Sequence, residues 1–347
     1  MERDEATRTG LPLLRPEELD LRAIRARTTD DAGYWTEWLR SGLEAAGLSE
    51  GRLAVAGRGP LSELYQACAA LAGDGLEIAA GSEVVRLARK AKGGDQLRAI
   101  RVAAAGVAAA LTRVAELLAG CAIADDGSLV LAGRPLTAGR LRGEIAELLA
   151  RRGLEQPEGN IVAAGSDAGV PHTVGSDDRV LAAGESLIVD LFPRSELFAD
   201  CTRTFCVGEP PARLEEAHAA VEAALRLAHA RLAVGGRGWD LQLAVCEQFA
   251  ALGYPTPLDD PNGVRGYVHN LGHGVGYEIH EYPSFAREAG AEGLLEAGDV
   301  LTLEPGLYDQ EAGYGVRLED LCVLGPEGPE NLTDLPYALD PRTWQVV

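Results

Sequence analysis

The segment HNLGHGVGYEIHEYP, His269 to Pro283, holds three of the chain's six histidines: His269, His273 and His280. Imidazole is the commonest metal ligand and the usual acid or base near neutral pH, so a cluster of this kind points to chemistry. Spacing limits which chemistry. The glycines in LGHGVG disfavour a helix, and in an extended chain His269 and His273 lie roughly 13 Å apart. One ion cannot hold both. At most one or two of the three are therefore ligands, and the others are expected to meet substrate. His273 is the preferred ligand, because flanking glycines keep side-chain bulk away from a crowded backbone.

Acids supply the rest of the pattern. AGESLIVD (Ala183 to Asp190) and AGDVLTLE (Ala297 to Glu304) share the form A-G-acid-x-L-x-x-acid. Each is followed by a turn-rich loop and a second strand that opens on another acid, Asp200 in ADCTRTFCVG and Glu319 in RLEDLCVLG. The acids of each pair are expected to face each other across a hairpin. A duplicated helix-helix-hairpin with pseudo-twofold symmetry would bring all four together. Four carboxylates cannot stay ionised in one pocket without a cation. Two divalent metals ~3.5–4 Å apart, bridged by carboxylates, resolve that conflict. Asp190 lies in the apolar run SLIVDLF, where a buried unpaired acid is costly. His172, in GVPHTVGSDD, precedes the first hairpin as His280 precedes the second, so each half offers one imidazole to the same cleft. His218 and His229 are spaced about 16 Å apart along a helix, cannot share a metal, and are expected to be solvated.

The elements that must position these residues fall into two groups. Up to residue 94, WTEWLRSGLEAAGL, LAVAG, LSELYQACAALA, LEIAAG and SEVVRLARKAK alternate helix and strand, as in a small α/β domain. Gly93–Gly94 marks the expected boundary, giving domains 1–94 and 95–347. From Asp95 two long helical stretches precede the first strands, and two more, PPARLEEAHAAVEAALRLAHARLAVG and WDLQLAVCEQFAALG, precede the histidine segment. Hydrophobic residues make up 46% and charged residues 24%, as in ordinary globular proteins. A net charge of -21 argues against nucleic acid and against an anionic membrane surface. No stretch is read as approaching the roughly 20 apolar residues of a membrane span, and MERDEATRTG lacks the features of a secretory signal. Six scattered cysteines without a CxxC pair fit small buried hydrophobes in a reducing cytoplasm. There is no HExxH helix, GxSxG elbow or Walker loop.

Four motifs, VDLF…ADCTRTF, LGHGVGYEIHEYP, LTLEPGLY and GVRLED, occur in an order that resembles the pita-bread metallopeptidases: aminopeptidase P, prolidase, methionine aminopeptidase and the related creatinase. The resemblance runs from about Asp95 to the C-terminus. It implies a pita-bread catalytic domain (α/β, α+β) with a pseudo-twofold helix-helix-hairpin repeat. The smaller N-terminal α/β domain is similar to that of the creatinase, prolidase and aminopeptidase P branch. By position, the resemblance implies that Asp190 binds one metal, that Asp200 and Glu319 bridge both, and that His273 and Glu304 bind the second. It places His172 and His280 on the peptide near the scissile bond and His269 at the border of a proline pocket. Tyr308 and Arg317 fall near the site, Arg317 as partner to a carboxylate, and Thr202 stands beside the bridging acid.

This implies two divalent ions, manganese first on carboxylate-rich ligation, with cobalt, iron or zinc able to occupy the site. The expected reaction is hydrolysis of an N-terminal Xaa-Pro bond of a peptide by a metal-bridging hydroxide, with Glu304 taking a proton and His280 steadying the oxyanion. The alternatives are a methionyl or creatine-like substrate on the same scaffold, or a non-catalytic peptide-binding module. A homodimer is common in the family. Three departures stand out: Asp190 and Asp200 are ten apart, one fewer than usual; Cys201 and Tyr277 replace aliphatic residues; and the N-terminal domain is short.

Overall fold

Asp30 and Thr137 show how local sequence sets helix starts in this chain: each side-chain oxygen accepts from the backbone N–H three residues on. The computed structural model describes residues 17–57 and 59–344, which fall into two units dividing between Arg86 and Leu87. In the first, α1 (Leu21–Arg27) and α2 (Asp31–Ala45) precede β1 (Gly51–Val55), α3 (Leu61–Gly73) and β2 (Leu76–Ala80). The two strands pair in parallel, Leu53 opposite Ile78, so the chain must cross over between them, and α3 is that crossover. Only Ile24, Ala67, Leu71 and Leu76 form its buried apolar core among the described residues. Helix α4 (Ser82–Lys90) carries the chain onward. The division falls ahead of Gly93–Gly94 because Lys90 and Lys92 are ion-paired to Asp299 and Glu281, deep within the second unit.

The second unit begins within α4 and continues with α5 (Gly94–Ala119). By length and composition this helix could cross a membrane, which the sequence reading did not allow for. Its apolar face, including Ile100, Val107, Leu111, Val114 and Leu118, is instead buried in the larger core. After a small sheet of β3 (Ala122–Ile123), β4 (Leu129–Leu131) and β5 (Arg134–Pro135) comes α6 (Ala138–Arg151). An antiparallel sheet then runs in order β6 (Asn160–Ala164), β7 (Leu187–Leu191), β8 (Cys201–Phe205).

The second half repeats the order helix, helix, sheet. Helices α7 (Ala212–Arg231) and α8 (Gly238–Ala251) precede a five-stranded sheet. That sheet is ordered β10 (Glu281–Ser284), β9 (His273–Gly274), β11 (Val300–Leu303), β14 (Asp320–Gly325), β15 (Gly328–Asn331). Between β11 and β14 the chain makes a separate hairpin, β12 (Gly306–Asp309) and β13 (Tyr314–Arg317). The short loop expected between the two second-half acids is therefore a hairpin of its own. Its return strand ends on Arg317, two residues before Glu319.

Candidate metal centre

All four acids sit in or beside strands. Asp190 is in β7, Asp200 immediately precedes β8, Glu304 immediately follows β11, and Glu319 immediately precedes β14. In the second half Leu303 pairs with Asp320, so Glu304 and Glu319 come opposite each other, as expected. In the first half the residue opposite Asp190 is Thr202. Asp200 lies two positions further along, diagonal to its partner and on the same face. Thr202 uses the vacated place to donate its hydroxyl to Glu319 Oε2 at 2.6 Å. The loop between Asp190 and Asp200 folds back on itself, with Ala199 N–H bonded to Pro193 O, and both acids remain buried. Cys201 is buried too, and its thiol lies 3.0 Å from Glu319 O.

His273 opens β9, its neighbours pressed so close that a Cβ on Gly272 would overlap Thr302 O and one on Gly274 would overlap Tyr282 O. Its Nδ1–H donates to Gly274 O at 3.1 Å, which leaves the Nε2 lone pair 3.5 Å from Glu304 Oε1 and 3.8 Å from Asp200 Oδ2. Asp200, His273 and Glu319 each offer a ligand atom, all within 4.8 Å of one another. Asp190 lies near enough for its charge to act on Asp200, Glu304 and Glu319. Its Oδ2 accepts from Arg317 at 2.6 Å. Asp190 Oδ1 and Asp200 Oδ1 are buried with no hydrogen-bond partner among the described residues.

Arg317 organises a second chain of bonds. It donates to Tyr308 OH at 2.9 Å and to Thr202 Oγ1 at 3.1 Å. Tyr308 OH lies 2.9 Å from His269 Nε2, and His269 Nδ1 lies 2.7 Å from Asn270 O. A carbonyl can only accept, so Nδ1 carries the proton and Nε2 takes the Tyr308 hydroxyl. His280 lies beside His273 with the rings tilted and their centroids 4.3 Å apart, and His172 is 6.2 Å from His269. His172 holds φ 62°, a left-handed conformation that costs a non-glycine residue energy and is concentrated at functional sites. A cleft of about 620 Å³ opens beside these two imidazoles, lined also by Pro171, Val264, Arg265 and Val268.

The acids of the site outweigh the one guanidinium among them, Arg317, whose charge only partly offsets theirs. Burial, then the charges of Glu319, Asp190 and Glu304, push Asp200 well above the usual carboxylate range. Burial and Glu304 do the same to Glu319, and Glu304 is pushed up to about 8, chiefly by burial. Burial takes His273 down to about 3, with His280 adding to the effect, so its imidazole is neutral and able to ligate.

Behind the acids lies a polar network that the sequence did not disclose. Arg203, fully buried, donates to Asp320 Oδ1 at 2.7 Å and to Glu319 O. His229 bonds Asp320 Oδ2 at 2.7 Å, and His218 donates to Tyr337 O at 2.8 Å. Neither histidine is simply solvated as expected: each ties helix α7 to the strands or tail behind Glu319. The available signal was their placement among alanines and leucines on an otherwise apolar helix face.

Residues 98–326 match the description of metallopeptidase family M24. The chain belongs to that family. Among M24 relatives, an Xaa-Pro dipeptidase of Pyrococcus furiosus is 32% identical over 219 residues, 61% of this chain and 59%, under two thirds, of the relative. A probable dipeptidase PepE of Mycobacterium bovis is 26% identical over 337 residues, 95% of this chain and 82% of the relative. In the solved structure of an X-Pro aminopeptidase from Thermotoga maritima, the TM-score is 0.69 at 24% identity, covering 90% of this chain and 80% of that one. The fold is thus the pita-bread fold.

Divalent cations fit these M24 residues: Asp190 Oδ1 and Asp200 Oδ1 are buried without a hydrogen-bond partner among the described residues, and a neutral imidazole aims its lone pair between two acids. The pH dependence follows. Unfolded, Glu304 titrates near 4.5; folded and metal-free, near 8. Between those values the folded state keeps a proton that the unfolded chain has released, so metal-free stability falls as pH rises through the window. Cation binding needs the ionised form, so its stabilisation grows over the same window. The difference in Tm between manganese-loaded and metal-free protein is expected to widen from about pH 5 to about pH 8. A gap constant across that range would contradict the assignment.

Proposed function

We propose that this M24 protein is a dinuclear-metal peptidase that hydrolyses the N-terminal Xaa-Pro bond of peptides, as an aminopeptidase or a dipeptidase. The observation that carries the reading is the gathering of Asp200, Glu304 and Glu319 about His273, with the charge of Asp190 acting on all three acids and with Asp190 Oδ1 and Asp200 Oδ1 buried without a hydrogen-bond partner among the described residues. In this reading Asp190 would hold one ion, His273 and Glu304 would hold the second, and Asp200 and Glu319 would be shared by both; manganese would suit the oxygen-rich set. When bound, the cations supply Lewis acidity and make water a nucleophile at neutral pH.

The chain's own residues do the rest. Glu304 receives the proton of the attacking water on its carboxylate. His280 donates an N–H to the developing oxyanion. His172 contacts the peptide on the other side. His269, its tautomer fixed by Tyr308 and Asn270, borders with Val268 an apolar pocket for a proline ring, whose amide has no N–H to satisfy. The proposal includes a homodimer in a reducing cytoplasm, supported by the family resemblance and by six free cysteines.

Product analysis with Ala-Pro and Ala-Pro-Ala in the presence of manganese tests this. Release of alanine from both, or mainly from the tripeptide, is expected of an aminopeptidase; release from the dipeptide alone, of a dipeptidase. No cleavage of either by metal-loaded protein would overturn the reading.

A further inference from the structure

The chain uses arginine for nearly every positive charge and has only two lysines, Lys90 and Lys92. Both are buried in ion pairs. Lys90 Nζ lies 2.6 Å from Glu296 Oε2 and 2.9 Å from Asp299 Oδ2. Lys92 Nζ bonds Lys90 O at 2.9 Å and Glu281 Oε1, and the Lys92 and Glu281 side chains are 0% and 4% exposed. A compact ammonium fits such a place; a planar guanidinium fork would not.

Glu281 directly follows His280. Its second oxygen accepts the backbone N–H of Tyr277 at 3.1 Å and of Glu278 at 3.4 Å. The carboxylate thereby closes the turn 276–281 on itself, and the buried ammonium anchors the closure. Gly276 permits it: a Cβ there would lie 2.5 Å from Glu281 Oε1 and 2.6 Å from Lys92 Cε. The same short stretch of chain holds the turn's outer side. Gln96 donates to Tyr277 OH at 2.7 Å, and Arg89 lies 4.9 Å over the Tyr277 ring. Phe198 N–H, from the loop ahead of Asp200, bonds Gly276 O at 2.8 Å. The product of this bracing is the placement of the His280 ring beside His273.

We propose that Lys92 is a positioning residue of the reaction: through Glu281 it fixes the turn that sets His280 beside the metal-ligating His273. The kinetic part of this rests on the peptidase reading; the structural part does not. In Lys92→Met, amide hydrogen exchange at Tyr277 and Glu278 is expected to speed by at least about tenfold, as their acceptor loses its anchor. Bound manganese per chain is expected to be unchanged, while kcat for Ala-Pro-Ala or Ala-Pro falls about tenfold to hundredfold, the scale of a misplaced group. Placed on a His280→Ala background, Lys92→Met is expected to add nothing further, because both changes remove one function.

Lys92→Met leaves Glu281 buried without its partner, which can compromise folding. The neutral pair Lys92→Met/Glu281→Gln is therefore measured beside it and is expected to show the same kinetic loss and the same dependence on His280. Unchanged exchange at Tyr277 and Glu278 in Lys92→Met, or losses that add in full to those of His280→Ala, would overturn the proposal. Should the wild-type protein cleave neither peptide, the peptidase reading fails, and the exchange measurement alone decides the role of Lys92 in the turn.

Discussion

His273→Ala is expected to lose metal and activity together while keeping its fold. The imidazole is the one neutral donor among the acids, and its Nε2 faces Glu304 and Asp200 at 3.5 and 3.8 Å. Loss of a residue that only orients a ligand already costs 10–100-fold in metal affinity as a rule, so loss of the ligand should cost more than about 100-fold. Activity at a fixed metal concentration should fall at least in proportion. Equilibrium dialysis and peptide cleavage on the same samples check both. Undiminished metal binding in the variant would remove His273 from the site.

Arg317→Ala is expected to have the largest effect on stability. The guanidinium is buried and bonds Asp190, Tyr308 and Thr202 at once. Removing it leaves Asp190 uncompensated in the interior, a loss of about 3–5 kcal/mol for a broken buried pair. Lysine should rescue little, since a point charge cannot reproduce a three-way fork. A cation on Asp190 would supply part of the missing compensation. Denaturant unfolding should therefore show a large loss for the metal-free variant and a smaller one with manganese present. Equal losses in both states would mean that no cation reaches Asp190.

Much of the site was legible because its signals are local. Glycines around His273, an acid inside the apolar run SLIVDLF, and the echo of AGESLIVD in AGDVLTLE each sit within a few residues and reflect burial directly. Helix periodicity likewise located α5 through α8. What stayed hidden depends on pairing across the chain. The register that puts Thr202, not Asp200, opposite Asp190 is set by strand packing. The hairpin before Glu319 looks from sequence like an ordinary loop. His229 reads as a solvated position until Asp320, far along the chain, is placed against it. Lys92 is the same case: its rarity was visible in the sequence, but its meaning required Glu281 to be brought beside it.

In the proposed mechanism Asp190, Asp200, His273, Glu304 and Glu319 together hold two catalytic cations. Titration of metal-free protein with manganese, counting bound ions and measuring alanine release from Xaa-Pro peptides at each point, tests it most directly. Two ions per chain are expected, with cleavage rising as the site fills and abolished by a chelator. Cleavage that persists in the metal-free protein, or binding of no ion at all, would contradict it.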